Sequence, residues 1–281
     1  MILPLRAGRA SAEVDLVAGG RLRSLRVDDR ELLVGPPGEG DRSIFWGCFL
    51  MAPWVGRMAS GILEWGGRRL VFSANLEHHA IHGLVFDKTW AVEAQDAKTI
   101  SLRCSLREVG WPFGGSVLQR IGLEEGQLSL TAEILADQPS PAALGWHPWF
   151  RRSRGDERIV VNASEVLETG PDRIPSGKTV RVDEITDLRS GAAIGSRLLD
   201  HTYVHPVPPA LLRTEGVDLS LWFEPPINAV LVHTRSEAFC VEPQTSWPNA
   251  AALEYSGIGG TGLRTLRAGE ALKASCQLRW G

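Results

Sequence analysis

Leu272-Lys273-Ala274-Ser275-Cys276-Gln277-Leu278-Arg279-Trp280 places an apolar or small side chain at every second position and a polar one between. Successive side chains on a strand point to opposite faces, so this alternation marks a strand with one buried and one wet face. A helix would need its apolar residues three and four apart instead. Working outward, the same period of two recurs at Leu102, Cys104 and Leu106 and at Leu128, Leu130, Ala132 and Ile134. Further strands are predicted at Val14 to Leu16, Leu22 to Val27, Val117 to Leu123 and Val230 to Val232.

Turn signals punctuate these runs. Gly66-Gly67 lies between Ile62-Leu63-Glu64-Trp65 and Arg68-Arg69-Leu70-Val71-Phe72, and a glycine pair accepts the positive φ angles of a type I′ hairpin. Gly19-Gly20 is expected to do the same. No segment sustains a helical apolar stripe with caps at both ends, so helices should be few and short. The stretch 170–199, rich in Gly, Pro, Asp and Arg, reads as a long connection. Many short strands with frequent turns predict an all-β fold, a large antiparallel β-sandwich, as one domain over residues 1–281. At this length roughly three quarters of the chain's surface can be buried without disulfides or a structural metal.

The composition narrows the functional classes. Cys48, Cys104, Cys240 and Cys276 are far apart and form no Cys-x-x-Cys pair, which argues for reduced, buried thiols and against a zinc knuckle. A net charge of −3 offers no general attraction to nucleic acid. Residues 1–10 lack the apolar core of a secretory signal, and no run approaches the ~18 apolar residues of a membrane span. The expected setting is the cytoplasm, with no nucleic-acid or membrane partner and a small molecule as ligand.

Chemistry is sought first among the seven histidines, because imidazole exchanges protons near neutrality. Three fall in Asn75-Leu76-Glu77-His78-His79-Ala80-Ile81-His82-Gly83. On a strand His78 and His82 would share a face, yet a bare His-His-x-x-His without an acidic or cysteine ligand is a weak metal signal. His78 and His79 are read as satisfying loop backbone, and His82 as a ligand-facing residue beside a glycine that admits close approach. Gly145-Trp146-His147-Pro148-Trp149-Phe150 holds a histidine between two tryptophans, whose faces suit the C–H face of a pyranose. Glu242 ends the predicted strand Ala238 to Val241, and Pro243 should stop that strand and leave the carboxylate at a rim. Asp200 and Arg57 are further candidates.

Taken in order, these segments resemble the aldose 1-epimerase family. The resemblance runs from Ala52-Pro53-Trp54 and Arg57 through Asn75, His82-Gly83 and Phe86-Asp87-Lys88-x-Trp90. It continues through Gly145 to Phe150, Asp187-Leu188-Arg189, Asp200-His201, Glu242 to Ala250 and Ala268-Gly269-Glu270. It implies a galactose mutarotase-like super-sandwich with a sugar cleft, Glu242 as general base and His147 as general acid. His82, Arg57, Asp200, Trp149 and Trp247 would hold a monosaccharide, with neither metal nor other cofactor. Gly56 stands where many relatives have Asn, which removes one possible hydrogen bond to the sugar.

The implied reaction interconverts the α and β anomers of a free aldose by acid-base opening and closure of the ring. Three alternatives accompany it. Arg151, Arg152 and Arg154 would suit the phosphate of a hexose 6-phosphate. A carbohydrate-binding protein without activity would keep the aromatic cleft and need neither Glu242 nor His147. A glycoside-processing enzyme would use two carboxylates, here Asp200 and Glu242.

Overall fold

The computed structural model describes residues 1–41 and 43–281. Two large sheets account for most of it. The larger has eleven strands, ordered Ile2–Ala7, Ala10–Asp15, Arg21–Val27, Cys48–Met51, Gly145–Arg151, Ala238–Gln244, Ala229–Thr234, Asp200–Val204, Glu165–Thr169 and Pro175–Arg181, with Arg30–Glu31 beside Arg21–Val27. The smaller has eight, ordered Ala91–Gln95, Thr99–Ser105, Ser116–Glu124, Gln127–Leu135, Ala271–Arg279, Val217–Phe223, Val207–Thr214 and Arg158–Asn162. Neighbouring strands in both run antiparallel.

The alternation that predicts the strands also builds the sandwich. Leu128, Leu130, Ala132 and Ile134 pair in register with Leu278, Cys276, Ala274 and Leu272, and all eight side chains are buried. They share one core with Leu50, Trp146, Val230, Val232 and Val241 of the larger sheet. Burying such a side chain contributes on the order of 1.5–3 kcal/mol, so the facing apolar rows account for the two sheets packing together.

On the other face of the larger sheet the intervening residues form a second, smaller cluster that includes Phe49, Met51, Trp149 and Cys240. Register orders this face in rows. Phe49 pairs with His147, and Glu242 pairs with Leu231 and Leu231 with Thr202. The pairs Gly145 with Gln244 and Trp149 with Cys240 bracket His147 and Glu242 and set them opposite each other. In the adjoining row Cys240 pairs with His233 and His233 with Asp200.

Three sequence expectations need correction. The strand expected to stop before Glu242 runs through Pro243 to Gln244, so Glu242 lies in a buried central strand and not at a rim. The ladder to Gly145–Arg151 is interrupted between Gly145 and Trp149, where Pro148 and Pro243, each without an N–H, are accommodated. Gly19-Gly20 is not a two-residue hairpin turn, since the flanking strands end at Asp15 and begin at Arg21. A Cβ at Gly19 would stand 1.7 Å from the Phe86 carbonyl oxygen, so packing requires the glycine there. Within 170–199 lies the strand Pro175–Arg181, an edge strand largely exposed on both faces and therefore without alternation.

Gly66 and Gly67 do form the predicted hairpin, with φ of 57° and 72°. The helices among the described residues are one turn of 3-10 helix, Ala59–Gly61, and one short α-helix, Ala250–Tyr255. All four cysteines are buried and free. No helix among the described residues is long and apolar enough to cross a membrane.

Candidate active site

A cavity of about 320 Å³ opens on the face of the larger sheet that carries His147 and Glu242. Its floor is the strand rows just described. Its walls come from connecting segments that bring in Phe45, Arg57, His82, Arg173 and Pro248. Central strands hold the floor rigid, and loops close over it.

The imidazole Nε2 of His147 lies 3.1 Å from Oε1 of Glu242. Both side chains are buried. The ring N–H direction misses the carboxylate, so the contact is a close approach without an aligned hydrogen bond, and among the described residues His147 Nδ1 and Glu242 Oε1 have no hydrogen-bond partner. The other carboxylate oxygen accepts a 3.0 Å hydrogen bond from the side-chain amide of Gln244. The His147 ring is stacked between Phe49 at 4.7 Å and Trp149 at 5.1 Å. Sequence reading placed it between Trp146 and Trp149, but Trp146 alternates to the core face and Phe49 takes its place. Trp149 is fixed by its indole N–H, which donates to the Ile44 carbonyl at 2.6 Å.

Burial sets the electrostatics of this pair. Desolvation pushes the Glu242 carboxyl well above its usual range, helped by the negative charge of Asp200. Desolvation also holds His147 well below the usual histidine value, reinforced by His82, His233 and the buried Arg21. Both groups are driven toward their neutral forms, the reverse of an ionised carboxylate facing an imidazolium.

His82 stands perpendicular to His147, with ring centroids 4.8 Å apart. Its backbone has φ of 64°, and its N–H donates to the Gly56 carbonyl at 3.0 Å. The side chain of Asn75 clamps the preceding residue by accepting from the Ile81 N–H and donating to the Ile81 carbonyl. Burial lowers the His82 pKa to about 3, with Arg57 adding to the effect. Gly83 serves a structural end: a Cβ there would stand 2.0 Å from the Ala52 carbonyl oxygen, so the neighbouring chain, not a ligand, makes the close approach. The three clustered histidines do not share a strand. His78 is exposed, whereas His79 is buried and its Nδ1 accepts from the Ser60 N–H at 3.1 Å, the backbone role expected of it.

Asp200 draws two arginines and a histidine around its carboxylate. Its carboxylate lies 3.9 Å from Arg57, 3.7 Å from Arg173 and 3.7 Å from His233. Desolvation alone would raise its pKa, but His233, Arg57 and Arg173 together hold it below the usual carboxylate range. Six of the seven residues singled out by sequence thus line one cavity: His147, Glu242, Trp149 and Asp200 on the floor strands, Arg57 and His82 on the walls. Trp247 does not join them; it is packed with Leu167, Val204, Ala229 and Leu253, and Pro248 lines the cavity instead. Gly56 is filled by that same residue, since a Cβ would stand 2.7 Å from Pro248.

Sequence reading missed Phe49, Arg173, His233 and Arg235. His233 could have been found, because it lies two residues after Leu231 on a strand already recognised at Val230 to Val232. Arg21 was missed entirely: it is fully buried, its guanidinium donates to the carbonyls of Ala18, Ser43, Trp46 and Phe86, and it lies over the Phe49 ring at 4.9 Å.

The sequence matches the family model for aldose 1-epimerase over residues 3–279. A search of curated proteins returns no significant match. Among solved structures the chain is similar to a provisionally assigned aldose 1-epimerase from Escherichia coli K12, at 20% identity and a TM-score of 0.87, covering 100% of this chain and 99% of that one. It is similar also to a GalM/aldose epimerase homologue from C. elegans, at 17% identity, TM-score 0.86 and coverage of 100% and 98%. A galactose 1-epimerase from Lactobacillus acidophilus NCFM follows, at 17% identity, TM-score 0.80 and coverage of 100% and 98%. At these identities the structural likeness establishes the galactose mutarotase-like fold.

Proposed function

The chain belongs to the aldose 1-epimerase family, and from that premise we propose that it interconverts the anomers of an aldose through the His147–Glu242 pair. The observation that carries this reading is the 3.1 Å approach of Nε2 and Oε1 at the floor of the cavity. The ring oxygen and the anomeric hydroxyl are bonded to one carbon. Two proton-handling groups side by side on one face therefore reach both, and they need not lie on opposite sides of the sugar.

In this reading Glu242 removes the proton from the anomeric hydroxyl while His147 protonates the ring oxygen, and the C1–O5 bond opens to an aldehyde. The pair carries one proton in total. It begins as carboxylate and imidazolium, and after opening it stands as carboxylic acid and neutral imidazole. Rotation about C1–C2 and reversal of both transfers closes the other anomer. Burial favours the neutral arrangement, so the resting pair resembles the form left after ring opening. Each positioned group contributes roughly 10²–10⁴ in rate, and no redox change is required. Arg57, His82 and Asp200 would hold sugar hydroxyls, with the Trp149 face against the ring. Polarimetry of a freshly dissolved pure anomer tests the activity.

A second reading concerns the sugar's distal end. Of the arginines singled out by sequence, Arg152 is engaged by the carbonyls of Arg235 and Gly195 and by Glu157. Both Arg151 and Arg152 join Arg235 on an adjoining cavity of about 520 Å³, which shares Phe45, Trp149 and Arg235 with the first. Arg235 lies over the rings of Phe45 and Trp149 at 5.0 and 5.9 Å, which supports a phosphorylated hexose as the competing substrate. Comparing glucose with glucose 6-phosphate in one assay decides between them.

A further inference from the structure

Beneath the paired rings of Trp149 and His233, whose centroids are 5.6 Å apart, lies a residue the mechanism does not use. Cys240 pairs in register with both and precedes Glu242 by two positions, so its side chain shares that face. Nitrogen, sulfur and oxygen donors of His147, Cys240 and Glu242 lie within 4.8 Å of one another, and all three residues are buried. Glu242 Oε1 has no hydrogen-bond partner among the described residues, and His147 Nε2 faces it at 3.1 Å, so both have lone-pair capacity for a shared cation.

We propose that His147, Cys240 and Glu242 form an inhibitory site for a thiophilic divalent cation of the zinc class, which excludes the sugar. One imidazole, one thiolate and one carboxylate match donor types that zinc accepts, and His147 and Glu242 line the cavity from which a fourth ligand would come. Charge supports the assignment. The cation displaces one proton from the thiol and one from the carboxyl, so two negative ligands and one divalent cation sum to zero, with the imidazole neutral. Burial opposes charge on Cys240 or Glu242 alone, and that penalty is relieved when the cation neutralises both at once. Bound metal takes the lone pairs of both proton-handling groups, so the consequence is inhibition; this part rests on the function proposed above.

The other cluster of possible ligands among the described residues, His78, His79 and Asp172, lacks these properties. His79 Nδ1 already accepts from Ser60, which leaves the proton on Nε2 in the neutral ring, and His78 and Asp172 are exposed.

The test is titration of the full-length, metal-free protein with cadmium, read by the ultraviolet thiolate-to-cadmium charge-transfer band, beside zinc titration of the mutarotation rate. Expected is one band-forming site per chain in wild type. Cys240→Ala should lose the band, and Glu242→Gln should weaken cadmium binding by about tenfold or more, at least the scale known for outer-sphere losses. Zinc should slow wild type by at least about tenfold, reversibly with chelator, whereas Cys240→Ala, scored against its own metal-free rate, should change by less than about twofold. A band that survives in Cys240→Ala, no band in wild type, or zinc that leaves the rate unchanged or raises it overturns the proposal. A Cys240-dependent band in a protein that turns over no sugar would keep the metal site and remove the proposed function instead.

Discussion

His147 and Glu242 face each other from opposed positions on neighbouring central strands, with Nε2 3.1 Å from Oε1. They are ninety-five positions apart in sequence, and the register that joins them is fixed by the apolar rows on the reverse face. A one-residue slip of either strand would turn its member of the pair into the core. The sandwich core is thus what aligns the two proton-handling groups.

If this pair works as a unit, Glu242→Gln and His147→Asn should each lower turnover by at least about a hundredfold. The double variant should fall no more than about tenfold below the slower single one, because groups that act together are not additive. Polarimetry gives the rates, and near-ultraviolet circular dichroism shows whether packing survives. A near-wild-type rate in either single variant removes that residue from its role.

The pH profile should be broad. Burial holds His147 below the ordinary value of about 6.5, so the acid limb, where the pair gains a second proton, should fall below that pH. Burial raises Glu242 above the ordinary carboxylate range, so the alkaline limb, where the last proton is lost, moves upward. Turnover against pH at saturating sugar checks both, and an acid limb centred at or above pH 6.5 contradicts the burial argument.

Asp200 lies within 4 Å of Arg57, Arg173 and His233. Asp200→Ala should raise the half-saturation concentration by about tenfold, about 1.4 kcal/mol of binding, with a smaller effect on turnover. Saturation kinetics separate the two, and an unchanged half-saturation concentration counts against a sugar-holding role.

Stability should fall as pH drops below neutrality. His82, with a folded pKa of about 3, and His147, also lowered, are neutral in the fold, while the unfolded chain takes up protons below about 6.5. Their contribution is complete above that pH and is lost as pH falls toward the folded values, at up to about 1.4 kcal/mol per unit for each; Glu242, raised in the fold, acts in the opposite sense, so the net slope is that of about one histidine. Urea midpoints between pH 7 and 5 measure the slope, and His82→Leu, if folded, should flatten it. A flat wild-type midpoint across that range contradicts the assignment.

Much of the sandwich was legible because a half-buried strand writes its burial into alternating side chains, as in Leu272 to Trp280. Pro175–Arg181 was illegible because an edge strand exposed on both faces has no apolar residues to alternate. Glu242 was recognised as a residue but misplaced, since a proline ends most strands and only the tertiary gap beside Pro148 accommodates this one. Trp247 was taken for a cleft aromatic because its neighbours in sequence belong there, yet one position decides which side of a loop is buried. Phe49 and Arg173 reach the site through strand pairing and a loop turn that no local motif announces, whereas His233 follows from alternation along a strand already recognised.

The central claim is most directly tested by magnetisation exchange between the α and β anomers at equilibrium, where the rate constant is read without depleting substrate. Measured with glucose, galactose and glucose 6-phosphate, the wild-type protein should accelerate exchange of at least one sugar in proportion to its concentration. Glu242→Gln should bring that rate to within about a hundredth of the wild-type increment. Exchange at the buffer rate for all three sugars, or an increment unchanged in Glu242→Gln, would contradict the account.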